Sequence, residues 1–228
     1  MEVREIVATF GSISVGKSSF INLLIGLKLL QSGSNLKTRF LLIIRHTKAK
    51  RPRLLHIERV STNGGKFGKG EYKVLEVLVD GTNSSESDEV IAEQIRNKIE
   101  EINDSLVAQQ KNEEKHDYSK LIYMLEIDIK NLNNDSFKEN FDLADIPGFG
   151  SLSKKEKEGF KLENKEKKDY DPFQDMRDIL TVIKDLVRTG FILFDANSFE
   201  DDEDIFKELI DKEKIKFRNF LIILNKID

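Results

Sequence analysis

The sequence predicts an α/β domain with a mostly parallel central sheet flanked by helices. Three observations lead there. Short apolar, β-branched runs alternate with longer stretches of helical periodicity, the pattern of strands joined by crossover helices. A glycine-rich run, Gly11 to Ser18, lies between the first strand pattern and the first helix pattern. Two polar tetrapeptides, Asp145-Ile146-Pro147-Gly148 and Asn225-Lys226-Ile227-Asp228, each follow a later apolar strand pattern. The 228 residues are enough for one domain with a sizeable core.

The elements follow in order. Residues 3–10 are rich in β-branched side chains and stop at Gly11, as a strand meeting a tight turn does. Residues 17–30 place Phe20, Leu23, Leu24, Leu27 and Leu30 at helical spacing. Strands are expected at 40–44, 54–60 and 72–79, the last two separated by the turn Asn63-Gly64-Gly65. Residues 87–111 read as an amphipathic helix with Val90, Ile91, Ile95, Ile99, Ile102 and Leu106 on one side. Residues 121–129 alternate like a half-buried strand, and 141–146 form an apolar run into Pro147-Gly148. A helix is expected at 173–188, a buried strand at 191–194, a helix at 201–212 and a final buried apolar strand at 220–224. Residues 153–171 are mixed-charge and of low complexity, and are expected to be a mobile loop.

Composition narrows the chemistry. A formal net charge of -4 with 34% charged residues fits a charge-rich globular protein without the basic footprint of a nucleic-acid binder. The local cluster Lys48, Lys50, Arg51 and Arg53 reads as a solvated loop before it reads as a phosphate or lipid contact. The absence of cysteine excludes disulfides, thiolate zinc sites and cysteine nucleophiles. No apolar run approaches the roughly 18–20 residues of a membrane span, since residues 21–30 are interrupted by Asn22, Gly26 and Lys28. With no apolar signal region at its start, the chain is expected in the cytoplasm. His46, His56 and His116 lack metal-ligand spacing and read as surface or strand residues.

Gly11-Ser12-Ile13-Ser14-Val15-Gly16-Lys17-Ser18 fits G-x-x-x-x-G-K-[ST]. A loop that wraps a phosphate with backbone N–H groups, Val15 and Gly16 among them, needs glycine where it turns sharply. The following helix then presents its N-terminus to the anion. Lys17 is expected to reach the β- and γ-phosphates, and the Ser18 hydroxyl to bind Mg²⁺, a hard cation that prefers oxygen.

Asp145 at a strand end downstream of such a loop is expected on the metal side, holding a Mg²⁺-bound water, with the N–H of Gly148 against the γ-phosphate. Asn225-Lys226-Ile227-Asp228 fits N-K-x-D, a guanine reader. The Asp228 carboxylate can accept from N1–H and the 2-amino group, which adenine does not offer. Asn225 supports the loop and the Lys226 stem lies along the base. This element favours GTP and GDP over ATP.

Three elements in this order look like a GTPase with the phosphate-loop fold, and the detail resembles the dynamin family. Ser14 stands two residues before Gly16, and Lys17 is followed by Ser18-Ser19. Leu29-Leu30-Gln31-Ser32-Gly33-Ser34 then leads to Thr38-Arg39, similar to the family's Gly-Ser turn and Thr-Arg pair. Asp145-Ile146-Pro147-Gly148 is similar to the family's D-[LI]-P-G, and residues 192–198 resemble the strand and Ala-Asn turn before the guanine element. Two positions depart from the family: Ile13 stands where a polar residue, often glutamine, is usual, and Asn225 begins a tetrapeptide that dynamins usually begin with threonine. The segment 48–140 carries no recognised element and is expected to be an enlarged insertion.

The resemblance implies a dynamin-type GTPase domain over 1–228, incomplete at its C-terminal end. By the same resemblance Gly16, Lys17, Ser18 and Ser19 hold phosphates and metal, and Thr38 is the switch threonine whose hydroxyl binds Mg²⁺ and whose carbonyl orients the attacking water. Ser14 helps bind a monovalent cation that replaces an arginine finger, and Gly33 offers backbone contacts to the nucleotide. Implied partners are guanine nucleotide, further copies of the domain and, through regions beyond this chain, a membrane surface that it meets peripherally. Catalysis would be positioning and charge stabilisation. Alternatives stay open: a GTP-binding module with little hydrolysis, which the aliphatic Ile13 favours; an inert fragment of a larger protein; and an ATPase.

Overall fold

The structure is a computed structural model that describes residues 1–12, 14–30, 38–48, 51–60, 70–111, 117–148, 174–195 and 218–225. Eight strands among them form one sheet in the order β4-β3-β5-β2-β6-β1-β7-β8. They are β1 Glu5–Phe10, β2 Leu41–His46, β3 Arg53–Val60, β4 Glu71–Asp80, β5 Ile122–Ile127, β6 Phe141–Asp145, β7 Val187–Asp195 and β8 Asn219–Asn225. The run β6-β1-β7-β8 is parallel throughout. On the other side β2 pairs antiparallel with β6 and parallel with β5, and the β3–β4 hairpin closes that edge antiparallel.

Helices cover both faces: α1 Lys17–Ile25, α2 Asp88–Lys111, α3 Asp135–Asn140 and α4 Gln174–Ile183. Side chains alternate across the sheet, so successive residues of one strand enter different cores. Ile6, Ala8 and Phe10 join Ile179, Leu180 and Ile183 of α4, whereas Val7 joins Ile21 and Ile25 of α1 and Ile91, Ile95 and Ile99 of α2. β5 lies in the middle and is buried on both faces, which corrects the half-buried reading of 121–129. Ile122 and Met124 serve one core while Leu125 and Ile127 serve the other. Strands β3, β4 and β5 and helices α2 and α3, all within 48–140, belong to this same sheet and these same cores.

Several boundaries differ from expectation for identifiable reasons. α1 stops at Ile25, not at residue 30, because Gly26 enters the left-handed region at φ 75° and donates to the Asn22 carbonyl. The Asn22 side chain then accepts from the Leu29 and Leu30 amides and keeps both leucines buried beyond the helix. α4 ends at Ile183, not at 188, because Val187 and Arg188 enter β7, which pairs with β1: Ile6 donates to the Leu186 carbonyl and lies in register with Val187, and Arg188 falls at a register shift before Thr189 pairs with Val7. In α2 the Val90 side chain faces solvent while Ile91, Ile95, Ile99 and Leu106 are buried. β8 is not the buried strand expected at 220–224. It pairs only with β7 among the described strands, leaving Phe220 62% and Leu224 61% exposed. The segment 153–171 and the helix expected at 201–212 lie outside the described residues.

The apolar reading of β6 overlooks Asp142, which is fully buried and held by Nε and Nη2 of Arg45 on β2, at 3.0 and 2.6 Å. Burial pushes its carboxyl up, and the Arg45 contact opposes that. The basic cluster at 48–53 is paired at its described members, Lys48 with Glu139, Arg51 with Asp88 and Arg53 with Glu126. His46 lies against Ile129 N–H and Asp128, and His56 reaches the Lys120 carbonyl while stacking on Tyr123. Among the described residues no helix is long and apolar enough to cross a membrane.

Candidate nucleotide and metal site

One edge of the sheet collects the expected chemistry. In the parallel run Thr9 aligns with Asp145, Phe10 with Ile192 and Asp195 with Asn225, so the C-terminal ends of β1, β6, β7 and β8 lie side by side. β2 runs the other way, with Leu42 opposite Asp145, which brings its start and the preceding Thr38 to the same edge. The crevice beyond the carboxyl ends of such strands is where open α/β sheets bind ligands.

The loop leaving β1 takes the conformations that its glycines permit. Gly11 has φ 147°, and a Cβ there would lie 2.4 Å from the Leu193 carbonyl oxygen. Ser14 turns at φ 65°, a left-handed conformation uncommon outside glycine. Gly16, at φ 94°, opens α1 and accepts from the Phe20 amide at 2.8 Å. Val15 is buried while Ser14 and Ser19 are exposed. Lys17 is buried, and its ammonium donates to the Gly11 and Ser12 carbonyl oxygens at 3.1 and 2.7 Å, which holds the charge at the loop.

Asp145 is the focus of the side on which a metal is expected. It is 1% exposed. The Ser18 hydroxyl donates to its Oδ2 at 3.2 Å and the Thr38 hydroxyl at 3.1 Å. Its Oδ1 is buried with no hydrogen-bond partner. Burial pushes the Asp145 carboxyl up, against the pull of Lys17 and of the Thr38, Ser18 and Thr9 hydroxyls. Two hydroxyls and a carboxylate with an orphaned oxygen suit Mg²⁺, which usually takes one or two carboxylates together with substrate phosphates. No group of three or more His, Asp or Glu among the described residues forms an all-protein cation cage. Gly148 lies three residues beyond Asp145, the last residue of β6.

Asn225 ends β8 and its side-chain amide donates to the Val15 carbonyl at 3.0 Å, which ties the first residue of the N-K-x-D tetrapeptide to the loop between β1 and α1. Ile13, Gly33, Lys226 and Asp228 lie outside the described residues. The sequence reading missed Asn103 of α2, whose Oδ1 accepts from the Arg39 amide at 3.1 Å, next to Thr38. Its only signal was a polar residue directly after Ile102 in an otherwise ordinary amphipathic pattern. A cavity of about 20 Å³, close to the room one water needs, is bounded by Ser18, Thr38 and Asp145 on one side and by Ile99, Glu100 and Asn103 on the other.

A family model described as the dynamin family matches residues 7–227. No curated protein matches this chain in sequence. Among solved structures, one of an oligomerised bacterial dynamin pair, described as providing a mechanism for the long-range sensing and tethering of membranes, is similar at a TM-score of 0.34 and 13% identity. That similarity covers 96% of this chain and 30% of the bacterial one, so this chain spans less than a third of that relative.

Proposed function

The chain belongs to the dynamin family, a family of GTP-binding and GTP-hydrolysing proteins, and we propose that it binds GTP with Mg²⁺ at the crevice between the phosphate loop, Thr38 and Asp145 and hydrolyses it to GDP. The observation that carries this reading is the convergence of the Ser18 and Thr38 hydroxyls on one oxygen of Asp145. Residues from the first helix, the switch and the end of β6 thereby meet at a single point.

In this reading the loop amides from Val15 to Ser19 cradle the phosphates, and Lys17 adds the positive charge that opposes the charge on the transferring group. Mg²⁺, when bound by Ser18, Thr38 and the Asp145 side, supplies neutralisation of the phosphate oxygens. The Thr38 carbonyl orients the attacking water, and the Gly148 N–H meets the γ-phosphate. Ser14 and a monovalent cation take the place of an arginine finger, and Gly33 contributes backbone contacts. Asp228 selects guanine, with Asn225 steadying the loop and Lys226 lying along the base. In the longer protein that family membership implies, the nucleotide cycle drives self-association of this domain and remodelling of a membrane that the protein meets peripherally.

Displacement of a fluorescent guanine nucleotide tests the binding. GTP and GDP should compete in the presence of Mg²⁺ and ATP should not, and Lys17→Ala should lose at least about tenfold in affinity, about 1.4 kcal/mol. Equal displacement by ATP, or full affinity in Lys17→Ala, contradicts the assignment. A second reading, slow hydrolysis, rests on Ile13, whose side chain has no group to orient a water. On that reading Ile13→Gln raises turnover without changing nucleotide affinity.

A further inference from the structure

The segment between the switch and β6 contributes a helix whose face toward the site is not only apolar. Asn103 is buried in α2, and its Oδ1 accepts from the Arg39 amide at 3.1 Å. One residue earlier, Thr38 donates to Asp145 at 3.1 Å. The switch therefore has a side-chain attachment to β6 and, at the very next residue, a backbone attachment to α2. A hydrogen bond to the backbone fixes where the chain runs, and so where the Thr38 carbonyl and hydroxyl point.

α2 is well placed to act as a fixed reference. Ile91, Ile95 and Ile99 are buried in the core shared with Ile21 and Ile25 of α1. Between Ile95 and Ile99 the Arg96 guanidinium donates to the Lys28 carbonyl at 3.0 Å, which ties the same helix to the segment following α1. The small cavity lined by both α2 and the Ser18–Thr38–Asp145 cluster leaves room for about one water.

We propose that α2 is the strut that sets the position of the switch, and that Asn103 is the positioning residue through which it acts on Thr38. This deepens the GTPase reading and rests on it. The contact matters for the state that engages Thr38, which is the GTP state with Mg²⁺. It matters little for GDP, whose phosphates the loop itself holds. Small displacements of a positioning group cost catalysis far more than ground-state binding.

The test uses the full chain with two variants that keep the branched shape of the side chain. Asn103→Leu fills the same space without an acceptor, and Asn103→Asp keeps an acceptor oxygen in place. Affinities for GDP and for a non-hydrolysable GTP analogue with Mg²⁺ are measured alongside kcat and thermal unfolding. The expected result is a loss of about tenfold in kcat and in analogue affinity for Asn103→Leu, GDP affinity within about twofold of the parent, and substantial recovery in Asn103→Asp. An Asn103→Leu chain with parental kcat and analogue affinity overturns the proposal. So does a parallel fall in analogue and GDP affinity that Asn103→Asp fails to restore, since that is a folding defect. Failure of the parent chain to bind any guanine nucleotide would instead contradict the underlying GTPase reading.

Discussion

The side-chain amide of Asn225 donates to the carbonyl oxygen of Val15 across 3.0 Å, joining residues 210 positions apart in the chain. The bond runs from the end of β8 to the loop between β1 and α1, so it joins the two ends of the proposed nucleotide site. Asn225→Ala leaves the Val15 carbonyl, on a buried residue, without this partner, a penalty of about 1–3 kcal/mol. If the loop holds the phosphates common to both nucleotides, as proposed, GDP and GTP affinity should fall together by about tenfold. Titration with a fluorescent nucleotide checks this, and unchanged affinity would mean that the bond does not support the loop.

Gly16 is constrained from two sides. Its φ of 94° is one that other residues rarely adopt, and a Cβ on it would lie 2.6 Å from the Asn225 amide nitrogen. Gly16→Ala therefore strains the backbone and pushes Asn225 off Val15. Strain of this kind costs about 1–3 kcal/mol, which for a chain of this size corresponds to a fall of about 2–12 °C in Tm. Calorimetry of the two proteins without nucleotide should show that drop, and equal midpoints would contradict the geometry.

Much of this architecture is legible in the sequence, because local and global signals agree there. Gly11, Gly16 and Lys17 stand where a phosphate loop needs them, between a strand pattern and a helix pattern, and the structure puts β1 and α1 on either side. Asp145 was legible for the same reason, at the end of an apolar run. The misread positions are those where a distant partner decides. Val187 and Arg188 continue a helical spacing, but the pairing of Val187 with Ile6 and of Thr189 with Val7 draws them into β7. Alternation along β5 looks half-buried, yet its neighbours β2 and β3 place it inside the sheet with cores above and below. Asp142 passed as a polar interruption because its partner, Arg45, lies on another strand. Asn103 has only a faint local signal, a polar residue directly after Ile102, because its contact is with the Arg39 amide in space.

The hairpin edge offers a test of the fold by pH. Arg59 of β3 grips Asp185, in the turn after α4, through two nitrogens at 2.8 and 2.6 Å, and also donates to the Val182 carbonyl. The Arg59 contact holds the Asp185 carboxyl below its ordinary value of 3.8. A carboxyl depressed by folding stabilises the protein above its unfolded value and loses that contribution as pH falls through 3.8 toward the folded value. Asp185→Asn should therefore unfold at lower temperature than the parent at pH 7, with the gap closing below about pH 4. Because the pair is partly exposed, the effect should be modest and should shrink at high salt. A gap that persists undiminished in acid would point to lost packing rather than a lost ion pair.

Phosphate release from GTP, followed with time for the parent chain and for Asp145→Asn, with Mg²⁺ and with the metal chelated, tests the central claim most directly. If Asp145 gathers Ser18 and Thr38 around the metal, the parent should release phosphate only with Mg²⁺. Asp145→Asn should fall by at least about a hundredfold, consistent with the loss of a principal electrostatic contribution to the transition state. Release that is indifferent to Mg²⁺, or an Asp145→Asn chain that turns over at the parental rate, would contradict the assignment of this crevice as the hydrolytic site.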